Sequence, residues 1–184
     1  MRGRRPTGHR FGGQAPQGVE RPPRIEPGPG QESVWDYPRP PRVEATSELI
    51  RVVHGGRAVC ETARALRVLE TSQPPGIYIP TSDTDMSLLR PSPGHSFCEW
   101  KGAASYHHLL VPGSAPVVDA CWYYPQPPPA YAALIDHVAF YPQLVDACFI
   151  EDEQVAGNEG TFYGGWITSR IVGPFKGGDG TWGW

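Results

Sequence analysis

Proline and glycine punctuate this chain too densely for long helices, with 22 of each spread over 184 residues. Glycine favours turns and proline removes a backbone donor, so many short strands joined by turns are expected. Strand-like runs at 49–53, 58–61, 77–79, 105–111, 117–124, 138–141 and 145–150 are separated by turn-rich gaps. Turns at that spacing predict a mainly β, antiparallel arrangement instead of βαβ crossovers. His54-Gly55-Gly56-Arg57 predicts a hairpin turn, with His54 as an ordinary turn residue. Residues 65–71 fit helix or strand equally well. Ser82 with Asp85 resembles a capping box opening one or two helical turns, and 130–137 has the composition of a short helix.

Residues 1–32 are rich in proline and glycine and poor in large apolar side chains, which predicts a disordered tail. Arg2, Arg4, Arg5 and Arg10 make it locally basic. Residues 33–184 are then one domain, entered through a proline-rich arm at 34–41 whose aromatics pin it to the body. The net charge of −3 supplies no global field for nucleic acid, which is not an expected partner. No run approaches the roughly 18 apolar residues of a membrane span, and the basic start lacks a signal peptide's apolar stretch. A cytoplasmic protein is expected, with Cys60, Cys98, Cys121 and Cys148 as reduced thiols.

Two stretches carry the chemistry. In Phe97-Cys98-Glu99-Trp100-Lys101-Gly102, an extended backbone would send Glu99 and Lys101 to one face and Cys98 and Trp100 to the other. Glu99 and Lys101 then read as an ion pair at a pocket wall. In Phe162-Tyr163-Gly164-Gly165-Trp166, two glycines between bulky rings permit a tight bend or a close approach. The expectation is that these segments form opposite sides of one recess, with Glu99, Trp100, Lys101, Trp122, Tyr124, Tyr163 and Trp166 as its ligand-binding residues. Aromatics also suit strands and cores, so core packing competes with this reading at each ring.

Other constellations are weaker. Asp83 and Asp85 are spaced for a Mg²⁺ pair on a strand, but their segment is turn-like. The repeated Val-Asp-Ala-Cys at Asp119/Cys121 and Asp146/Cys148 could bring four ligands together, yet the Cys-x-x-Cys pairs of structural zinc sites are absent. No metal and no cofactor is therefore expected. Cys98 with His107, His108 or His137 is the raw material of a Cys-His couple. His137 otherwise reads as a satisfied histidine near a strand start. Gly177-Gly178-Asp179-Gly180 lacks the Lys-Ser/Thr of a phosphate loop and reads as a flexible loop.

The ordered motifs SVWDYPRPPRVE, RALRVLETSQPPGIYIP, FCEWKG, DHVAFYP, FYGGWITSRIVGPFKG and GTWGW resemble the bacterial DUF427 proteins, a family of unknown function also labelled nucleotidyltransferase-like. The resemblance implies a β-tent fold similar to the Mss4 and cereblon thalidomide-binding domains. That fold has two antiparallel sheets meeting at an angle, with a pocket between them. It also implies an aromatic pocket for small cyclic or cationic ligands. The leading expectation is a small-molecule-binding module. An enzyme acting on a nucleotide or other metabolite, with Glu99 and Lys101 as acid and base or Cys98 as nucleophile, is the alternative. A protein-interaction adaptor using the tail and arm is the third.

Overall fold

The computed structural model describes residues 22–184. Its strands in chain order are β1 (Glu32–Ser33), β2 (Arg42–Ala45), β3 (Ile50–His54), β4 (Arg57–Thr62), β5 (Leu66–Leu69), β6 (Gly76–Pro80), β7 (Leu89–Cys98) and β8 (Gly102–Leu109). They continue with β9 (Val117–Tyr123), β10 (His137–Phe140), β11 (Ala147–Ile150), β12 (Glu153–Gln154), β13 (Ala156–Gly157), β14 (Trp166–Ile167) and β15 (Ile171–Val172). A seven-stranded sheet runs β2-β5-β6-β10-β9-β8-β7, and a four-stranded sheet runs β12-β11-β3-β4. Every pairing within them is antiparallel, and each sheet stays open at both edges. This is the mainly β, antiparallel arrangement that the turn spacing predicts.

Local chemistry accounts for the elements. Gly55 and Gly56 take φ values of +58° and +71°, the two left-handed residues a tight turn between β3 and β4 requires. The ambiguous 65–71 run becomes β5 because β2 and β6 pair with it on both sides, and pairing outweighs weak local preference. The expected helices are 3-10 turns. In the 81–89 segment the cap is Asp85 and not Ser82: Asp85 Oδ1 accepts from Ser87 N at 3.1 Å. Residues Pro129–Leu134 form a 3-10 turn broken at Tyr131.

The charged stretch is the main departure. Glu99, Trp100 and Lys101 form the turn between β7 and β8, closed by the Cys98–Gly102 pair, with Gly102 at φ +86°. Strand alternation does not apply inside a turn. Glu99 is therefore exposed while Lys101 is buried.

The arm enters as expected. Trp35 Nε1 donates to the Pro174 carbonyl at 2.9 Å, Trp35 packs on Trp184, and Tyr37 is buried. The disorder expected of the tail falls largely on 1–21, outside the described residues. Within 22–32, Arg24 grips Asp36 through bonds of 2.6 and 2.8 Å, and β1 pairs in parallel with β15.

Alternation divides the large sheet into two faces. Ile77 and Ile79 of β6, Cys121 of β9, and Val138 and Phe140 of β10 meet Ile50, Val52, Cys148 and Ile150 of the small sheet in the main core. Their neighbours Tyr78, Ala104, Tyr106, Trp122 and Ala139 belong to a second cluster on the opposite face. The space between the sheets is thus packed solid, and the recess lies on the outer face of the large sheet instead of between the two.

Candidate functional site

Tyr78 of β6, Tyr106 of β8, Trp122 of β9 and Tyr124 just beyond it contribute to a recess of about 420 Å³, within the usual range for small-molecule sites. The β7–β8 turn supplies Trp100 and Lys101 to the same recess, and residues 162–165 supply Tyr163. The two stretches singled out in the sequence therefore do converge. Tyr78 Oη accepts from Trp122 Nε1 at 3.1 Å, their rings meet edge to face at 6.1 Å, and Trp122 leans on Tyr141 at 4.5 Å. Ser96 Oγ and Tyr106 Oη share a bond of 2.7 Å. Burial pushes the phenols of Tyr78, Tyr124 and Tyr141 upward, so they stay protonated at neutral pH.

Gly164 and Gly165 work by close approach. A Cβ on Gly164 would lie 2.6 Å from the Trp122 ring, and one on Gly165 would lie 2.7 Å from the Pro74 carbonyl oxygen. What approaches the backbone here is the protein's own Trp122 and Pro74.

Lys101 is the buried charge of the recess, 8% exposed. Its carboxylate neighbour is Glu70, with Nζ to Oε2 at 4.0 Å, and not Glu99. The expected Glu99–Lys101 pair does not form because the turn sends one side chain outward and the other inward. Glu70 is shared with Arg39, whose Nε lies 3.5 Å from Oε1. The 4.0 Å between Lys101 Nζ and Glu70 is longer than a hydrogen bond, and Nζ lies 5.9 Å from the Tyr124 ring centre. Burial works to lower the Lys101 pKa, but the groups around it, the Glu70 carboxylate among them, hold it above its ordinary value.

Glu99, Trp100, Lys101, Trp122, Tyr124 and Tyr163 all line the recess. Trp166 does not. It is fully buried in the main core, where Nε1 donates to the Phe140 carbonyl at 3.1 Å, so its ring faces inward from the glycine pair. Glu70, Tyr78, Tyr106 and Lys176 also line the recess and went unassigned in the sequence. Tyr78 had a legible signal, standing between two isoleucines in a strand. Glu70 and Lys176 had none, because they arrive from distant loops.

Cys98 lines the recess, and its Sγ accepts from Lys101 N at 3.5 Å. No described imidazole accompanies it there. His107 stacks on Tyr123, Asp119 N donates to His108 Nδ1 at 3.1 Å, and His137 Nδ1 lies 2.8 Å from the Ile135 carbonyl. Cys121 and Cys148 sit in the core, and burial pushes the Cys121 thiol up to about 12. Asp146 accepts from Gly55 N at 2.7 Å instead of joining a cluster. Among the described residues no three His, Cys, Asp or Glu side chains gather as a metal site, and no helix is long and apolar enough to cross a membrane.

Asp83 and Asp85 serve the fold. Asp83 accepts from Thr62 Oγ1 at 2.6 Å and pairs with Arg64 at 2.5 Å, and these contacts hold its carboxyl below the usual range. A lowered carboxyl contributes stability that is present above its unfolded value and is lost as pH falls through the folded one. Asp83→Asn is therefore expected to flatten the acid side of a Tm-versus-pH curve relative to wild type. Identical acid limbs would show that these contacts carry no linkage.

The described residues thus form an open antiparallel β domain with an aromatic recess and a buried ammonium on the outer face of its large sheet. The chain belongs to the family described as Domain of unknown function (DUF427), whose model matches residues 42–151, more than half of its length. That span runs from β2 through β11 and includes Glu70, Tyr78, Cys98, Trp100, Lys101, Tyr106, Trp122 and Tyr124, but not the 162–165 wall. No curated protein matches the chain.

Proposed function

We propose that this domain is a small-molecule-binding module that holds a planar, polar molecule against the rings of Tyr78, Trp122 and Tyr124. The observation that carries the reading is a nearly buried ammonium, 4.0 Å from the Glu70 carboxylate, among aromatic side chains that line an open recess. Rings supply contact area at low entropic cost, and a few fixed polar groups set orientation. The acid-base alternative gains less support, since the carboxylate beside Lys101 is Glu70 and not Glu99.

A thermal-shift screen against a library of small heteroaromatic metabolites tests this. A ligand at a hundred times its Kd should stabilise the fold by about 2.7 kcal/mol and be recovered chemically unchanged. Trp122→Ala should abolish the shift, and Tyr163→Ala should weaken it. A hit that stabilises wild type and both variants equally would place binding elsewhere. A hit that is converted to product would favour an enzyme.

A further inference from the structure

We propose that the ligand of this recess carries an anionic oxygen, as in an aromatic or heteroaromatic carboxylate, and that the site discriminates against cationic rings of the same size. This rests on the recess being a binding site and goes further by assigning the charge of what it holds. Aromatic walls alone would favour cations, because ring faces attract them. The groups set among these walls reverse that preference.

Lys101 Nζ lies 4.0 Å from the Glu70 carboxylate, beyond hydrogen-bond reach, although the residue is only 8% exposed. Trp100 Nε1 is buried and unpartnered. Tyr78 Oη accepts from Trp122 Nε1 at 3.1 Å and its ring packs beside that of Tyr124, so this hydroxyl belongs to the wall. Lys176 brings a second ammonium to the lining, where its Nζ donates to the Trp184 carbonyl oxygen at 3.2 Å.

Charge follows the same direction. Glu70 is the carboxylate beside Lys101, but Arg39 lies 3.5 Å from it on the other side, so one negative charge stands between two positive ones. Glu99 lines the recess from the exposed turn, where water screens it. An arriving carboxylate would complete the shell of Lys101 with a charge-assisted bond, the strong kind in a partly dry site. An arriving ammonium would meet Lys101, with Glu70 already held between two cations and Glu99 out on the exposed turn.

Indole-3-acetate, indole-3-ethanol and tryptamine share one ring and one tether length and differ in charge. Their affinities are to be measured at neutral pH by NMR titration of the full chain, following the indole N–H resonances of Trp100 and Trp122. The expected order is acetate tightest, by about tenfold or more over the alcohol, with tryptamine weakest. Lys101→Met should collapse the acetate-to-alcohol ratio towards one. Equal affinities, or tryptamine binding best, would overturn the charge assignment while leaving the recess reading intact. If none of the three perturbs these resonances, both fall. The wild-type series decides the question even if the variant does not fold.

Discussion

Replacing Trp166 with alanine is expected to lower the free energy of unfolding by about 3–5 kcal/mol, the range for truncating a large aromatic in a packed core. The ring has no exposed surface and belongs to the cluster shared by both sheets. Alanine removes that volume and also the donor to the Phe140 carbonyl, 3.1 Å away, on the strand that pairs with β6 and β9. Chemical denaturation of the variant should show a lower midpoint with an unchanged slope. A cost below about 1 kcal/mol, typical of a surface change, would mean that the ring faces the recess after all.

Gly165→Ala should be the next most damaging single change among those considered, costing about 1–3 kcal/mol through overpacking. Its added carbon would meet the Pro74 carbonyl oxygen and Asn158 Oδ1, both at 2.7 Å. Backbone cannot swing aside as a side-chain tip can. The same residue's N–H donates to Asn158 Oδ1 at 2.6 Å, and Pro74 lines the recess, so relief by separation would open the wall that carries Tyr163. Gly164→Ala presses instead on the Trp122 ring and should disturb ligand binding more than stability. Wild-type melting of both variants would show that this wall is looser than the packing indicates.

Alternation made most of the sheet legible in the sequence. The Ile-Tyr-Ile run of β6 separates core from recess face, and the Gly55-Gly56 turn fixes the β3–β4 hairpin. The same rule misread the charged stretch, because Gly102 in left-handed backbone makes 99–101 a turn. Its alternation argument failed there, yet turn geometry still brought Trp100 and Lys101 to the recess. Trp166 misled for a different reason. It adjoins a recess-lining pair, but the chain has entered β14 by then, and the ring turns to the core. Glu70 was invisible because its partners, Arg39 and Lys101, lie about thirty residues away on either side in chain order. Long-range pairing of that kind is a property of the sheet order and not of any local pattern.

The division of the large sheet into an inner and an outer face has a further consequence. Tyr78, Tyr106 and Trp122 occupy every-other positions on strands whose intervening residues hold the fold together. Selectivity can therefore diverge residue by residue across this scaffold while its interior stays the same. On the proposed binding reading, substitutions at just those outward-facing positions would alter what the recess holds without disturbing the interior.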